Sequence, residues 1–212
     1  NGKTTTKDIV TSILETKFKV HKTQGNFNNE LGVPLTILAA PEDSDILVLE
    51  MGADNFGQLD FLSKLVKPDY TIITNIGESH IEFFGSRAGI AKAKFEITNG
   101  MKKDGFFVYN GDEPLLKELV ENSSINATSC GENSYNDIIL ENYTMTRDKI
   151  DFKLNIDKNS FFTTLKGKHN LFNIMFAVAI AKKIGLTNEE IRHAIDNISK
   201  ITNMRLESIT YG

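Results

Sequence analysis

The chain has 212 residues, with 24 Lys and Arg against 28 Asp and Glu, a net charge of −4. Apolar residues make up 40% and charged residues 25%, which excludes a disordered tail, a collagen-like repeat or a low-complexity linker, and the mild acidity argues against a dedicated nucleic-acid binder. The one cysteine, Cys130, leaves no internal disulfide and suits a reducing, cytoplasmic setting, and no apolar run approaches the ~20 residues that a bilayer crossing needs.

The chain opens on Asn1-Gly2-Lys3-Thr4-Thr5-Thr6-Lys7, which reads as the closing half of a phosphate-binding loop. Gly2 lets the backbone approach a phosphate, Lys3 brings a point charge to the β- and γ-phosphates, and the Thr4 hydroxyl is a ligand for the accompanying Mg²⁺. Ile9, Val10, Ile13 and Leu14 then fall on one helical stripe, so a helix N-terminus faces the loop. Starting inside this motif, the sequence is expected to be a piece cut through its loop.

Next come a short strand over 18–22 and a continuous apolar run over 46–50, Ile-Leu-Val-Leu-Glu, expected to be a strand buried on both faces. A helix follows over 59–66, stopped by Lys67-Pro68-Asp69, then a strand over 70–74, a helix over 88–98, a strand over 105–110 and a helix over 114–121 opened by Pro114. Strands and helices alternating at this interval predict an α/β fold of P-loop NTPase type, with a mainly parallel sheet flanked by helices. Over 138–165 the period changes to two, with Ile150, Phe152, Leu154 and Ile156 alternating with polar residues, which predicts a small antiparallel patch. Two helices close the pattern, over 170–184 and 188–198.

Four places carry candidate chemistry. Glu50 ends a predicted strand, where such folds place a metal ligand; a loop acid or helix cap is the alternative. His80 ends Thr74-Asn75-Ile76-Gly77-Glu78-Ser79-His80, a loop at the rim of the sheet, and is a possible metal ligand or a plain surface histidine. Lys94, with Ile90 and Ile97 on its helix face, is either a half-buried reactive amine or an exposed lysine, and composition alone favours the latter. Asn170 and Asn173 open a helix with amides suited to a purine or ribose, or Asn170 merely caps it. Arg205 is a fainter candidate for a phosphate contact.

Together these strings resemble the Mur ligase family of peptidoglycan synthesis. The matching segments are Gly2 to Lys7, Thr23 to Thr36, Glu50-Met51-Gly52-Ala53, Thr74 to His80, Gly85 to Lys94, Asn110 to Pro114, His169 to Asn173 and Met204 to Glu207. The run Asn-Phe-Asn-Asn-Glu-Leu-Gly-Val-Pro-Leu-Thr and the Gly-Glu-Ser-His loop look most like the branch that uses D-alanyl-D-alanine. The resemblance implies three domains, of which residues 1–212 are the central ATPase. The N-terminal UDP-sugar domain and the C-terminal Rossmann-like domain would lie outside it, and the piece alone is expected to turn over little. It implies ATP-dependent amide formation, in which the carboxylate of UDP-N-acetylmuramoyl-tripeptide becomes an acyl phosphate and the amine of D-Ala-D-Ala attacks.

By position, Lys3 would hold the phosphates with Gly2 and Thr5, and Thr4 and Glu50 would hold the first Mg²⁺. His80 and a carbamylated Lys94 would serve a second Mg²⁺. Asn173, Asn170 and Arg205 would contact the nucleotide, and Thr23, Asn28 and Asn29 would line the acyl-substrate side. No membrane or nucleic-acid partner is expected, and a monomer suffices. Two alternatives stand beside this reading. One is another amino-acid ligase of the superfamily, such as a folylpolyglutamate synthase, against which the Thr23 to Asn29 run argues. The other is a P-loop binding module without ligase chemistry, against which Glu50, His80 and Lys94 argue together.

Overall fold

The architecture was obtained as a computed structural model that describes residues 2–79 and 81–202. The first helix, α1 (Lys3–Leu14), is buried on most of its circumference, through Thr6, Lys7, Ile9, Val10, Thr11, Ile13 and Leu14. It leads into β1 (Val20–Lys22), α2 (Gly32–Leu38) and β2 (Ile46–Val48), and β1 and β2 pair in parallel. The apolar run at 46–50 is a shorter strand than expected and is not buried on both faces. Leu47 is 40% exposed, and β1 is its one partner among the described residues.

Next come α3 (Gln58–Val66), β3 (Tyr70–Ile73), a single-turn α4 (Ile81–Phe84) and α5 (Arg87–Phe95), which tightens into a 3₁₀ turn over Glu96–Thr98. The Ser86 side chain caps α5 by accepting from the Gly89 N–H at 3.0 Å. β4 (Phe106–Asn110), α6 (Pro114–Glu121) and β5 (Ala127–Gly131) continue the alternation. β6 (Ile138–Met145), β7 (Ile150–Leu154) and β8 (Phe161–Thr163) form the antiparallel patch that the period of two predicts. The patch is not a separate unit. β6 also pairs in parallel with β5, so one sheet runs β3-β4-β5-β6-β7-β8 and changes from parallel to antiparallel at β6.

The last two helices are α7 (Lys168–Ile184) and α8 (Asn188–Thr202). α7 starts two residues before the expected point, so Asn170 lies inside it rather than capping it. Its end is set by Gly185, whose φ of 103° is the left-handed conformation that closes a helix. Leu171, Ile174, Met175, Phe176 and Val178 of α7 pack with Ile9 and Ile13 of α1, Val108 of β4, Phe152 of β7, Phe161 of β8 and Ile191 and Ile195 of α8 in the principal core. A second core lies under α5 and α6, around Ile90, Phe107 and Leu116, and a third holds Val33, Met51, Leu59 and Leu62. None of the described helices is long and apolar enough to cross a membrane.

A candidate nucleotide and metal site

Gly2 precedes α1 with φ +85°, a left-handed turn that aims the free N–H groups of the first helical turn outward. A Cβ there would lie 3.0 Å from the Asn173 Oδ1, so α7 walls the turn from behind and glycine alone fits without strain. Lys3 projects exposed from this end, with Thr4 and Thr5 beside it. The four residues open into a cleft of about 730 Å³.

Across the cleft, β2 delivers Glu50 two residues past its end. The carboxylate is buried, at 7% exposure. Three residues of the preceding segments hold it. The Glu50 N–H donates to the Thr23 hydroxyl at 2.9 Å, the Asn28 Nδ2 donates to Glu50 Oε1 at 3.0 Å, and the Lys7 Nζ stands 4.0 Å from Oε2. Oε2 itself is buried without a hydrogen-bond partner. A buried, unbonded carboxylate oxygen beside a cleft is the donor a hard cation requires.

α5 forms the third wall. Its Lys94 is half-buried and donates to the Asn75 carbonyl at 2.6 Å. Burial, and after it repulsion from Lys3, pulls its ammonium down to about 8 from the ordinary lysine value near 10.5. The loop that offers the Asn75 carbonyl is itself tied down. The Arg87 Nη2 donates to the Ile76 carbonyl at 3.2 Å and to Glu113 Oε2 at 2.6 Å, and Glu113 also caps α6.

One cleft therefore gathers Gly2, Lys3, Thr4, Thr5, Asn28, Asn29, Glu50 and Lys94. Thr23 is fully buried and does not line it; it reaches the site through Glu50. The Asn29 side chain is committed in part to α2, accepting from the Gly32 N–H at 2.9 Å. Asn170 and Asn173 stand together on α7, with the Asn173 Nδ2 donating to Asn170 Oδ1 at 3.1 Å, behind Gly2 and outside the cleft lining. Asn170 also donates to the Lys166 carbonyl at 2.8 Å. His80 and Arg205 lie outside the described residues. Among the described residues, no three His, Cys, Asp or Glu side chains form a metal cage. A single carboxylate beside a hydroxyl suits Mg²⁺, which keeps several waters and takes phosphate oxygens as partners. Neither Lys7 nor Arg87 stands out in the sequence.

A cleft at a helix N-terminus, with a lysine and a hydroxyl on one side and a carboxylate on the other, is the arrangement of an α/β domain of P-loop type. The profile described as the Mur ligase middle domain matches residues 1–181, and the chain belongs to the Mur ligase family. It is 46% identical, over 99% of its length, to the UDP-N-acetylmuramoyl-tripeptide--D-alanyl-D-alanine ligase of Bacillus subtilis (strain 168), of which the match covers 45%. Among solved structures it is similar to MurF from Acinetobacter baumannii, with a TM-score of 0.85 and 33% identity over 92% of this chain and 44% of that one. It is also similar to MurF ligase from Thermotoga maritima in complex with ADP, with a TM-score of 0.80 and 32% identity over 91% of this chain and 46% of that one. The chain thus spans about half the length of the relatives it matches.

Proposed function

We propose that this chain is the nucleotide-handling middle domain of an ATP-dependent amide ligase. That ligase joins D-alanyl-D-alanine to UDP-N-acetylmuramoyl-tripeptide through an acyl phosphate, in cytoplasmic synthesis of peptidoglycan precursors. Residues 1–212 are the central unit. The remaining length of the relatives leaves room for a UDP-sugar domain and a Rossmann-like domain for the incoming amine. The observation that carries the reading is a single cleft in which the Gly2-Lys3-Thr4 helix start, the buried Glu50 and the Lys94 amine converge.

The chemical difficulty is bringing a carboxylate against a triphosphate, since both are anionic. The N-terminal N–H groups of α1 and Lys3 neutralise the β- and γ-phosphates. Thr4 and Glu50 hold one Mg²⁺, and His80 with Lys94 holds a second. Bound magnesium supplies a Lewis acid that draws charge off the phosphoryl oxygens. Asn28 keeps Glu50 turned toward the cleft. Asn170 and Asn173 support the nucleotide from the α7 side and Arg205 contacts it, while Asn28 and Asn29 border the acyl substrate.

Lys94 serves as a carbamate. The ammonium first gives up one proton. The neutral amine then adds to CO₂, a C–N bond forms as one C–O π bond opens, a second proton leaves the nitrogen, and a cationic side chain has become an anionic oxygen donor. The lowered ammonium pKa favours this reaction, because the neutral amine is the reactive form.

The test places the chain within a full-length protein and follows phosphate release with a panel of amines. D-Ala-D-Ala is expected to stimulate release well above single amino acids. Equal stimulation by a single amino acid removes the specific assignment, and no release with any amine leaves a nucleotide-binding module. Lys94→Ala is expected to lower turnover by roughly 10–100-fold, as for the loss of a metal-site group. Full turnover in that variant excludes the carbamate.

A further inference from the structure

Behind the cleft lies a buried cation that the proposed reaction leaves unused. Lys7 follows Lys3 by one turn of α1, yet it is 5% exposed. Its Nζ donates to the Thr23 carbonyl at 2.8 Å and stands 3.8 Å from Asp8 Oδ1 and 4.0 Å from Glu50 Oε2. Asp8 has a closer cation, the Lys22 Nζ at 2.9 Å. Glu50 has no other salt-bridge partner among the described residues, and its Asn28 hydrogen bond falls on the opposite oxygen.

Two physical facts bear on this pair. A carboxylate and an ammonium taken out of water each need a counter-charge, or burial costs too much. At 4.0 Å the ammonium is near enough to balance charge but beyond hydrogen-bond reach of Oε2. The ammonium is fixed by the Thr23 carbonyl, and the Thr23 hydroxyl fixes the Glu50 backbone. One residue therefore sets the distance between the two charges.

We propose that Lys7 is the resident counter-cation of Glu50. It balances the buried carboxylate while no divalent ion is present and, by standing off from Oε2, leaves the lone pairs of that oxygen to the ion. Lys7 is a positioning residue, and the inference rests on Glu50 being a divalent-ion ligand. It carries a signature that a plain packing role lacks: removing the charge weakens the metal-free protein but strengthens its hold on the ion, because one repelling cation is gone.

The experiment compares the wild type with Lys7→Met, Glu50→Gln and the double variant. Urea unfolding is measured without metal, and Mn²⁺ titrations with ADP present are followed by the electron paramagnetic resonance of the free ion. Lys7→Met is expected to lower the metal-free urea midpoint and to tighten Mn²⁺ by at least about tenfold. Adding Glu50→Gln restores most of the lost stability, since no unpaired charge remains. Unchanged or weaker Mn²⁺ binding in Lys7→Met, with Glu50→Gln weakening it as expected, overturns this inference alone. Unchanged Mn²⁺ binding in Glu50→Gln overturns both the inference and the reading of Glu50. Should Lys7→Met fail to fold, the double variant is required to fold, and its failure also overturns the proposal.

Discussion

Asp112 sits between two loops at the ends of β4 and β5 and accepts four hydrogen bonds. They come from the Glu132 N–H at 2.7 Å, the Asn133 N–H at 3.2 Å, the Asn133 Nδ2 at 2.7 Å and the Asn136 Nδ2 at 2.8 Å. Burial works against its charge, but the donors of Glu132, Asn136 and Asn133 outweigh that and hold its carboxyl below the usual aspartate range. A depressed pKa gives stability that is complete above the unfolded value of about 3.9 and is lost as pH falls through the folded value. Asp112→Ala is expected to lower stability at pH 7 by about 1 kcal/mol, a modest figure because the carboxyl is partly exposed. Urea midpoints checked across pH are expected to show a constant gap from wild type down to about pH 5 that narrows below about 3.9. Such roles were illegible in the sequence. Asn110-Gly111-Asp112-Glu113 is visible as a string, but the donors to Asp112 lie some twenty residues further on. Lys7 was illegible for a related reason. A lysine on an amphipathic helix normally faces water, and only the tertiary fold places Thr23 and Glu50 around this one.

At the scale of elements, the helices with apolar stripes and most strands were legible in the sequence, whereas α2 and β5 were not. α7 combines Leu171, Ile174, Met175, Phe176 and Val178 without a break, so its burial followed from composition. Phe176→Ala is expected to cost about 3–5 kcal/mol, measured by chemical denaturation, because the ring is fully buried against several elements. α2 was missed because Gly32 and Pro34 look like breakers. Pro34 lies in the first turn, where its missing N–H has no helical partner to lose, and the Asn29 Oδ1 accepts from the Gly32 N–H that opens the helix. Asn29→Ala is expected to cost about 1 kcal/mol in the same measurement. β5 was missed because Ala-Thr-Ser-Cys-Gly carries no β-branched apolar run; pairing with β4 and β6 makes it a strand.

The whole molecule divides its labour between a short two-stranded sheet that leads into Glu50 and a longer sheet that carries the Lys94 side. The alternation of strands and helices announced parallel strands flanked by helices, because βαβ units leave few topologies open, but not their division into two sheets. The closeness of Glu50, Lys3 and Lys94 was not announced by spacing, since residues far apart along the chain meet only in the folded cleft. A ligand that bridges these walls stabilises all of them. Mg²⁺ with ADP at a hundred times its dissociation constant is expected to add about 2.7 kcal/mol, raising the thermal midpoint by roughly 5–10 °C, as read by differential scanning fluorimetry. Lys3→Ala is expected to abolish most of that rise.

The seating of Gly2 against Asn173 has a consequence for how the protein comes to its native form. β6, β7 and β8 join through short connections and meet partners close along the chain, whereas α1 and α7 lie at opposite ends of the described sequence. Contacts between such distant segments bear the largest loop-closure penalty and form late. The anion-binding turn is therefore unsupported until α7 has been made and docked. During synthesis the turn at Gly2 waits for Asn173, far along the chain, so competence to bind nucleotide comes only after α7 has docked.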